Sequence, residues 1–179
     1  MNLQEPIRDF TFDLEAHLPE NFSGSSRVWI YQADRIFTVA EAFELEKVFE
    51  NFVSSWNSHG VPVKGFANLF FGRFIVLMAD ELQTTVSGCS TDSSVAMIRD
   101  IEARYKTNLF NRQALVFMIK GKMEVIPIQQ LSYAIEHGFI TPETLYFNNT
   151  VLTKKELLEK WIAPAGRTWL SRYFKSQIL

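Results

Sequence analysis

Along the chain, continuous or alternating apolar runs give way to stretches in which apolar residues recur every three or four positions. Arg27-Val28-Trp29-Ile30-Tyr31-Gln32 is rich in β-branched and aromatic residues and predicts a strand. Thr38-Val39-Ala40-Glu41 is a capping box, in which hydroxyl and carboxylate each satisfy an otherwise unpaired backbone N–H. The helix it opens is predicted to run to about Ser58. Phe43, Leu45, Val48, Phe49, Phe52, Val53 and Trp56 form its apolar stripe, and Gly60 and Pro62 end it. Strands are predicted over 63–70 and 74–79, with Gly72-Arg73 between them at hairpin spacing. The polar segment 80–94 leads into a second helix, over about 92–106, with Val95, Ile98, Ile101 and Tyr105 on its apolar side. Asp92 at its start and Arg104 and Lys106 at its end suit the helix dipole.

The second half continues with a hairpin, 114–119 and 123–126, around Gly121-Lys122. A short helix over about 129–137 stops at Gly138, and Leu145-Tyr146-Phe147 reads as a short strand. Thr153-Lys154-Lys155-Glu156 is a second capping box, opening a helix through Trp161 that Pro164 and Gly166 break. Trp169, Leu170, Tyr173 and Phe174 allow a last helical turn or two. The order β-α-β-β-α-β-β-α with two hairpins predicts an α+β fold, a largely antiparallel sheet with helices packed on one face. Residues 1–26 read as an N-terminal arm, anchored by Phe10, Phe12, Leu14 and Leu18 and ending in a turn-rich linker. Residues 27–179 read as a single domain.

Composition narrows the class. The chain has 179 residues, 47% hydrophobic and 21% charged, which suits one domain with its own core and excludes wholesale disorder. With 18 Lys+Arg against 20 Asp+Glu, the net charge of −2 argues against a broad basic surface for nucleic acid or anionic lipid. Trp29, Tyr31, Phe66, Phe70 and Phe74 lie on predicted strands, where core packing is a better reading than a base-stacking platform. The basic residues from Lys154 to Lys175 read as a solvated helix face rather than a dock for an acidic partner. A single cysteine excludes an internal disulfide. No basic start followed by an apolar run marks a secretory signal, and no apolar stretch reaches the ~20 residues that span a bilayer, so a cytoplasmic protein without membrane contact is expected.

Candidate chemistry concentrates in 80–94. A helix start exposes backbone N–H groups that can hold an anion, and Gly88 lets the backbone approach a ligand closely. Ser87, Gly88, Ser90, Thr91, Asp92, Ser93 and Ser94 are therefore the candidate ligand-binding residues, for a small anion or a protein partner. The same Ser, Thr and Asp are also what helix caps prefer. A thiol at a helix start can be activated, so Cys89 as nucleophile, His59 as base and Asp80 or Asp92 as its orienter make a candidate catalytic set. Against it, a lone cysteine is often a small buried hydrophobe, and His59 at a helix end can serve merely as a cap. Three histidines without metal spacing imply no zinc site, and Asp80-Glu81 reads as solvated carboxylates rather than a magnesium site. No cofactor motif occurs. In particular there is no phosphate loop, since Gly121-Lys122 is followed by Met123 and has no leading glycine.

Trp56-Asn57-Ser58-His59-Gly60, the run from Arg73 to Glu81, the run from Ser87 to Ser94, and Leu109-Phe110-Asn111-Arg112 together resemble an uncharacterised Bacteroidetes protein family. Phe147-Asn148-Asn149 and the stretch from Trp161 to Trp169 extend the resemblance over most of the chain from Arg27 to Phe174. Members often carry the label "ABC transporter ATPase". Lacking the phosphate loop, this chain departs from such an ATPase at the decisive point. The resemblance thus implies no activity for individual residues, but it singles out His59 and the Ser87–Ser94 run. The expectation is a non-enzymatic ligand-binding or protein-interaction domain using the 80–94 loop, able to self-associate through exposed apolar surface. The alternative is a cysteine-dependent enzyme built on Cys89 and His59.

Overall fold

A computed structural model describes residues 12–175. Among them lie five α-helices and nine strands, every pairing antiparallel, so the fold is α+β. The strands form three separate sheets, of three, two and four strands. The chain divides into two compact units.

The first unit comprises Asn21–Arg112 and Asn149–Leu157. Its centre is β5 (Phe74–Asp80), flanked by β1 (Arg27–Gln32) and β4 (Lys64–Phe70). Every β5 residue is buried, which is why its sequence is a continuous apolar run rather than an alternation. Ile75 and Leu77 face Leu45 and Phe49 of α1 (Val39–Ser55) and Ile98 and Ile101 of α2 (Gly88–Tyr105), so both helices cover one face of the sheet. Each such fully buried side chain contributes about 1.5–3 kcal/mol. The capping box at Thr38 forms as predicted, with the hydroxyl accepting from the Glu41 N–H and the Glu41 carboxylate accepting from the Thr38 N–H. Arg35 also pairs with that carboxylate at 2.8 Å, and together these partners hold the Glu41 carboxyl down at about 2.

Helix α1 ends sooner than the sequence suggests. Trp56 leaves the helix, and β2 (Asn57–Ser58) pairs with β3 (Val61–Pro62) across His59 and Gly60. Both turn residues have positive φ, 51° and 80°, as a tight two-residue hairpin of primed type requires. The buried Trp56 ring packs against Trp29, Phe52, Val63 and Val86 in a satellite core. A Cβ on Gly65 would sit 2.7 Å from this ring, so the absent side chain makes room for it. On the far side of β1, the Val28 N–H donates to the Leu152 carbonyl at 2.9 Å, and Arg27 bridges Thr153.

The second unit comprises the described parts of Met1–Glu20, Gln113–Asn148 and Leu158–Leu179. It holds β6 (Ala114–Ile119), β7 (Lys122–Pro127), α3 (Leu131–Glu136), β8 (Leu145–Phe147), β9 (Ile162–Pro164) and α5 (Ser171–Lys175). Leu115, Phe117, Leu131, Ile135, Tyr146 and Leu170 form its core, and burial pushes the Tyr146 phenol up to about 12. The chain passes between units through α4 (Lys154–Lys160), whose start is fixed by the Thr153 hydroxyl accepting from the Glu156 N–H. The strand β9 occupies the Pro164 segment that sequence reads only as a helix break. Of the N-terminal arm, Leu14 and Leu18 are buried, while Phe10 lies outside the described residues.

Candidate functional site

The polar segment is organised around the start of α2, which lies earlier than Asp92. Ser87 is the N-cap, its hydroxyl accepting from the Ser90 N–H at 3.3 Å, and Asp92 falls inside the helix on its exposed side. The helix start is tied to the β2–β3 hairpin through four bonds. The Ser90 hydroxyl donates to the Asn57 carbonyl at 2.7 Å, and the Trp56 indole N–H donates to the Ser90 carbonyl at 2.9 Å. The Ser58 hydroxyl donates to the Thr85 carbonyl at 2.7 Å and accepts from the Ser87 N–H at 3.2 Å. Ser58, Ser90 and Ser94 are buried.

The remaining hydroxyls are also engaged within the helix. Thr91 donates to the Ser87 carbonyl, Ser93 to the Ser90 carbonyl and Ser94 to the Thr91 carbonyl, at 2.7–3.1 Å. Of the seven candidate ligand-binding residues, five thus spend a hydroxyl on the protein itself, and Gly88 and Asp92 have no such group. What faces outward is different in kind: Leu82 is 72% exposed, Val61 at the hairpin's end is 49% exposed, and His59, Gly88 and Cys89 are exposed.

The three candidate catalytic side chains sit in one unit but in different settings. His59 is on the hairpin turn and Cys89 on the first turn of α2, with no hydrogen bond joining them among the described residues. Asp80 ends β5 and is buried; its carboxylate pairs with the Lys64 ammonium at 2.8 Å and accepts from the Leu82 and Ser23 N–H groups. The Lys64 bond, helped by these two N–H groups, holds the Asp80 carboxyl below its usual range against the opposing effect of burial. Lys64 also donates to the Asn21 carbonyl and lies 4.8 Å from the Phe22 ring centre, so Asp80 organises the 21–23 turn. Among the described residues no three His, Cys, Asp or Glu side chains converge as metal ligands, and no helix is long and apolar enough to cross a membrane. Tyr31, Phe70 and Phe74 are buried, which leaves only half-buried Trp29 and Phe66 of the strand aromatics in partial contact with solvent.

Sequence singles out the 80–94 segment but does not reveal the hairpin bonded to it, the Trp56–Pro62 stretch. The signal was the pair His59-Gly60 between two short polar–apolar steps, masked by Trp56 continuing the helical stripe. No family model, curated protein or solved structure matches the chain.

Proposed function

We propose that the protein is a non-enzymatic protein-interaction domain that presents the Leu82–Cys89 loop and the His59 hairpin to a partner. One observation carries this reading: the hydroxyls of Ser58, Ser87 and Ser90 are bonded between the hairpin and the start of α2, while Leu82, Val61, His59 and Cys89 are exposed. A loop held rigid by its scaffold loses little entropy on binding, which favours recognition. Leu82 on the loop and Val61 on the hairpin add exposed apolar surface that a partner could cover. The cysteine-enzyme reading has less support, since its base and nucleophile share no hydrogen bond and its orienting carboxylate is already paired with Lys64.

The test is site-specific photo-crosslinking in the cells that make the protein. A photoreactive side chain placed at Leu82 or Val61 is expected to trap the same discrete adduct, and one at exposed Lys120 in the other unit is expected to trap none. No adduct at Leu82 and Val61, or the same adducts at all three positions, would contradict the proposal.

A further inference from the structure

The outer edge of β4 differs from the sheet margins at β1 and β7. In the first unit's sheet the β1 margin is met by Leu152 and Thr153. In the second unit β7 is an edge strand carrying Lys122, Glu124 and Pro127, the charges and proline that discourage strand addition. β4 pairs with β5 alone among the described residues, and between Lys64 and Phe70 it reads Gly-Phe-Ala-Asn-Leu, with no charge and no proline.

The Leu69 N–H donates to the Asn68 side-chain oxygen at 2.8 Å instead of to β5. Backbone groups alternate sides along an antiparallel strand, so Gly65 and Ala67 direct their N–H and C=O groups to that same outer side. A cleft of about 250 Å³ runs along this edge, lined by Gly65, Ala67 and Asn68 of β4 and by Glu46, Phe49 and Glu50 of α1. Residues from both faces of β4 line it, as expected for a cleft along the strand's backbone edge.

Charge decides the occupant. Glu41 pairs with Arg35 and Glu44 with Arg104, but Glu46 and Glu50, one turn apart on α1, have no ion-pair partner among the described residues. We infer that the outer edge of β4 takes up an extended, basic segment of a partner protein as an added strand, with Glu46 and Glu50 receiving its cationic side chains. The peptide's backbone bonds to Gly65 and Ala67, and every second side chain faces α1. A second copy of this chain fits less well, because two-fold pairing of β4 edges would bring Glu46 and Glu50 of both copies together. This surface is separate from the His59–Leu82 surface, and either can fail without the other.

The experiment uses the full chain and a fluorescein-labelled octapeptide of alternating lysine and valine, with the glutamate–valine peptide as control. Fluorescence anisotropy is expected to show binding of the lysine peptide only. The double variant Glu46→Lys/Glu50→Lys, which alters two exposed side chains, is expected to weaken it at least about tenfold. Ala67→Pro removes one outward N–H and should also weaken it. The bound peptide should slow hydrogen exchange at the Gly65 and Ala67 amides. Absence of binding, equal binding of both peptides, binding indifferent to the charge reversal, or protection elsewhere than β4 would overturn the inference. So would self-association that protects the same amides without peptide, which would make a second copy the occupant.

Discussion

The 80–94 segment and the outer edge of β4 belong to the same unit and are opposites. The first is dense in serine, threonine and aspartate, and the hydroxyls of Ser87, Ser90, Thr91, Ser93 and Ser94 and the Asp80 carboxylate are bonded to the protein. The second has an unremarkable sequence, and its backbone donors and acceptors face outward. Polar side chains in a sequence are therefore a poor guide to binding capacity. What counts is the hydrogen-bonding capacity left over once helix, sheet and caps are satisfied, because an unpaired backbone group costs free energy wherever water is excluded. Among the serine and threonine hydroxyls of α2's first turns little is left over; along β4 the outward backbone groups of Gly65 and Ala67 are.

The largest effect is expected from removing the side chain that holds the hairpin against α2. Trp56→Ala deletes a buried ring and its bond to the Ser90 carbonyl, and should cost about 3–5 kcal/mol in denaturant unfolding. A loss under about 1 kcal/mol would mean the hairpin is not anchored there. Ser90→Ala removes a buried hydroxyl and the donor it gives to the Asn57 carbonyl, and should cost about 1–3 kcal/mol. Ser93→Ala, on an exposed hydroxyl bonded only to its own helix, should stay within about 0.5 kcal/mol of zero. Equal effects from the two serines would erase the distinction between interlocking and idle hydroxyls.

Asp80 supplies a pH test of the same scaffold. Its carboxyl lies below the ordinary value of 3.8 in the folded chain, so the unfolded chain takes up the proton first as pH falls. The Asp80 contribution to stability is therefore complete above that ordinary value and disappears as pH drops through the folded one. Lys64→Met removes the main cause of the depression and should move the acid unfolding midpoint toward neutral pH. An unchanged midpoint would show that the pair contributes nothing. The smallest expected effect is at Cys89: its alkylation rate in the folded protein should be altered by less than about twofold in His59→Ala at any pH tested. A larger drop would bring the cysteine-enzyme reading back.

Much of the fold was legible because local signals and burial agree. The apolar run of β5, the stripe of α1 and the Thr38–Glu41 box all point to what forms. The start of α2 was misplaced because Asp92 is a good cap and Ser87-Gly88-Cys89 has low helix propensity. Tertiary bonds from Ser90 to Asn57 and Trp56 carry the helix back over those residues. The two-residue strands of the hairpin have no periodicity to read, and β9 was hidden by Pro164, which a strand tolerates at its margin. Sequence singles out the 80–94 segment by its composition, but loop side chains carry no pattern that reveals which way they face. The β4 edge was invisible, since openness is a property of what does not pair with a strand.

The most direct test of the whole account is residue-resolved native-state hydrogen exchange on the free protein. The Ser90 and Thr91 amides, bonded to the Ser87 hydroxyl and carbonyl, should be strongly protected, while the Gly65 and Ala67 amides exchange close to the rate of an unfolded chain. Fast exchange at Ser90 and Thr91 together with protection at Gly65 and Ala67 would contradict it. That result would make the start of α2 the unsatisfied surface and the β4 edge the closed one.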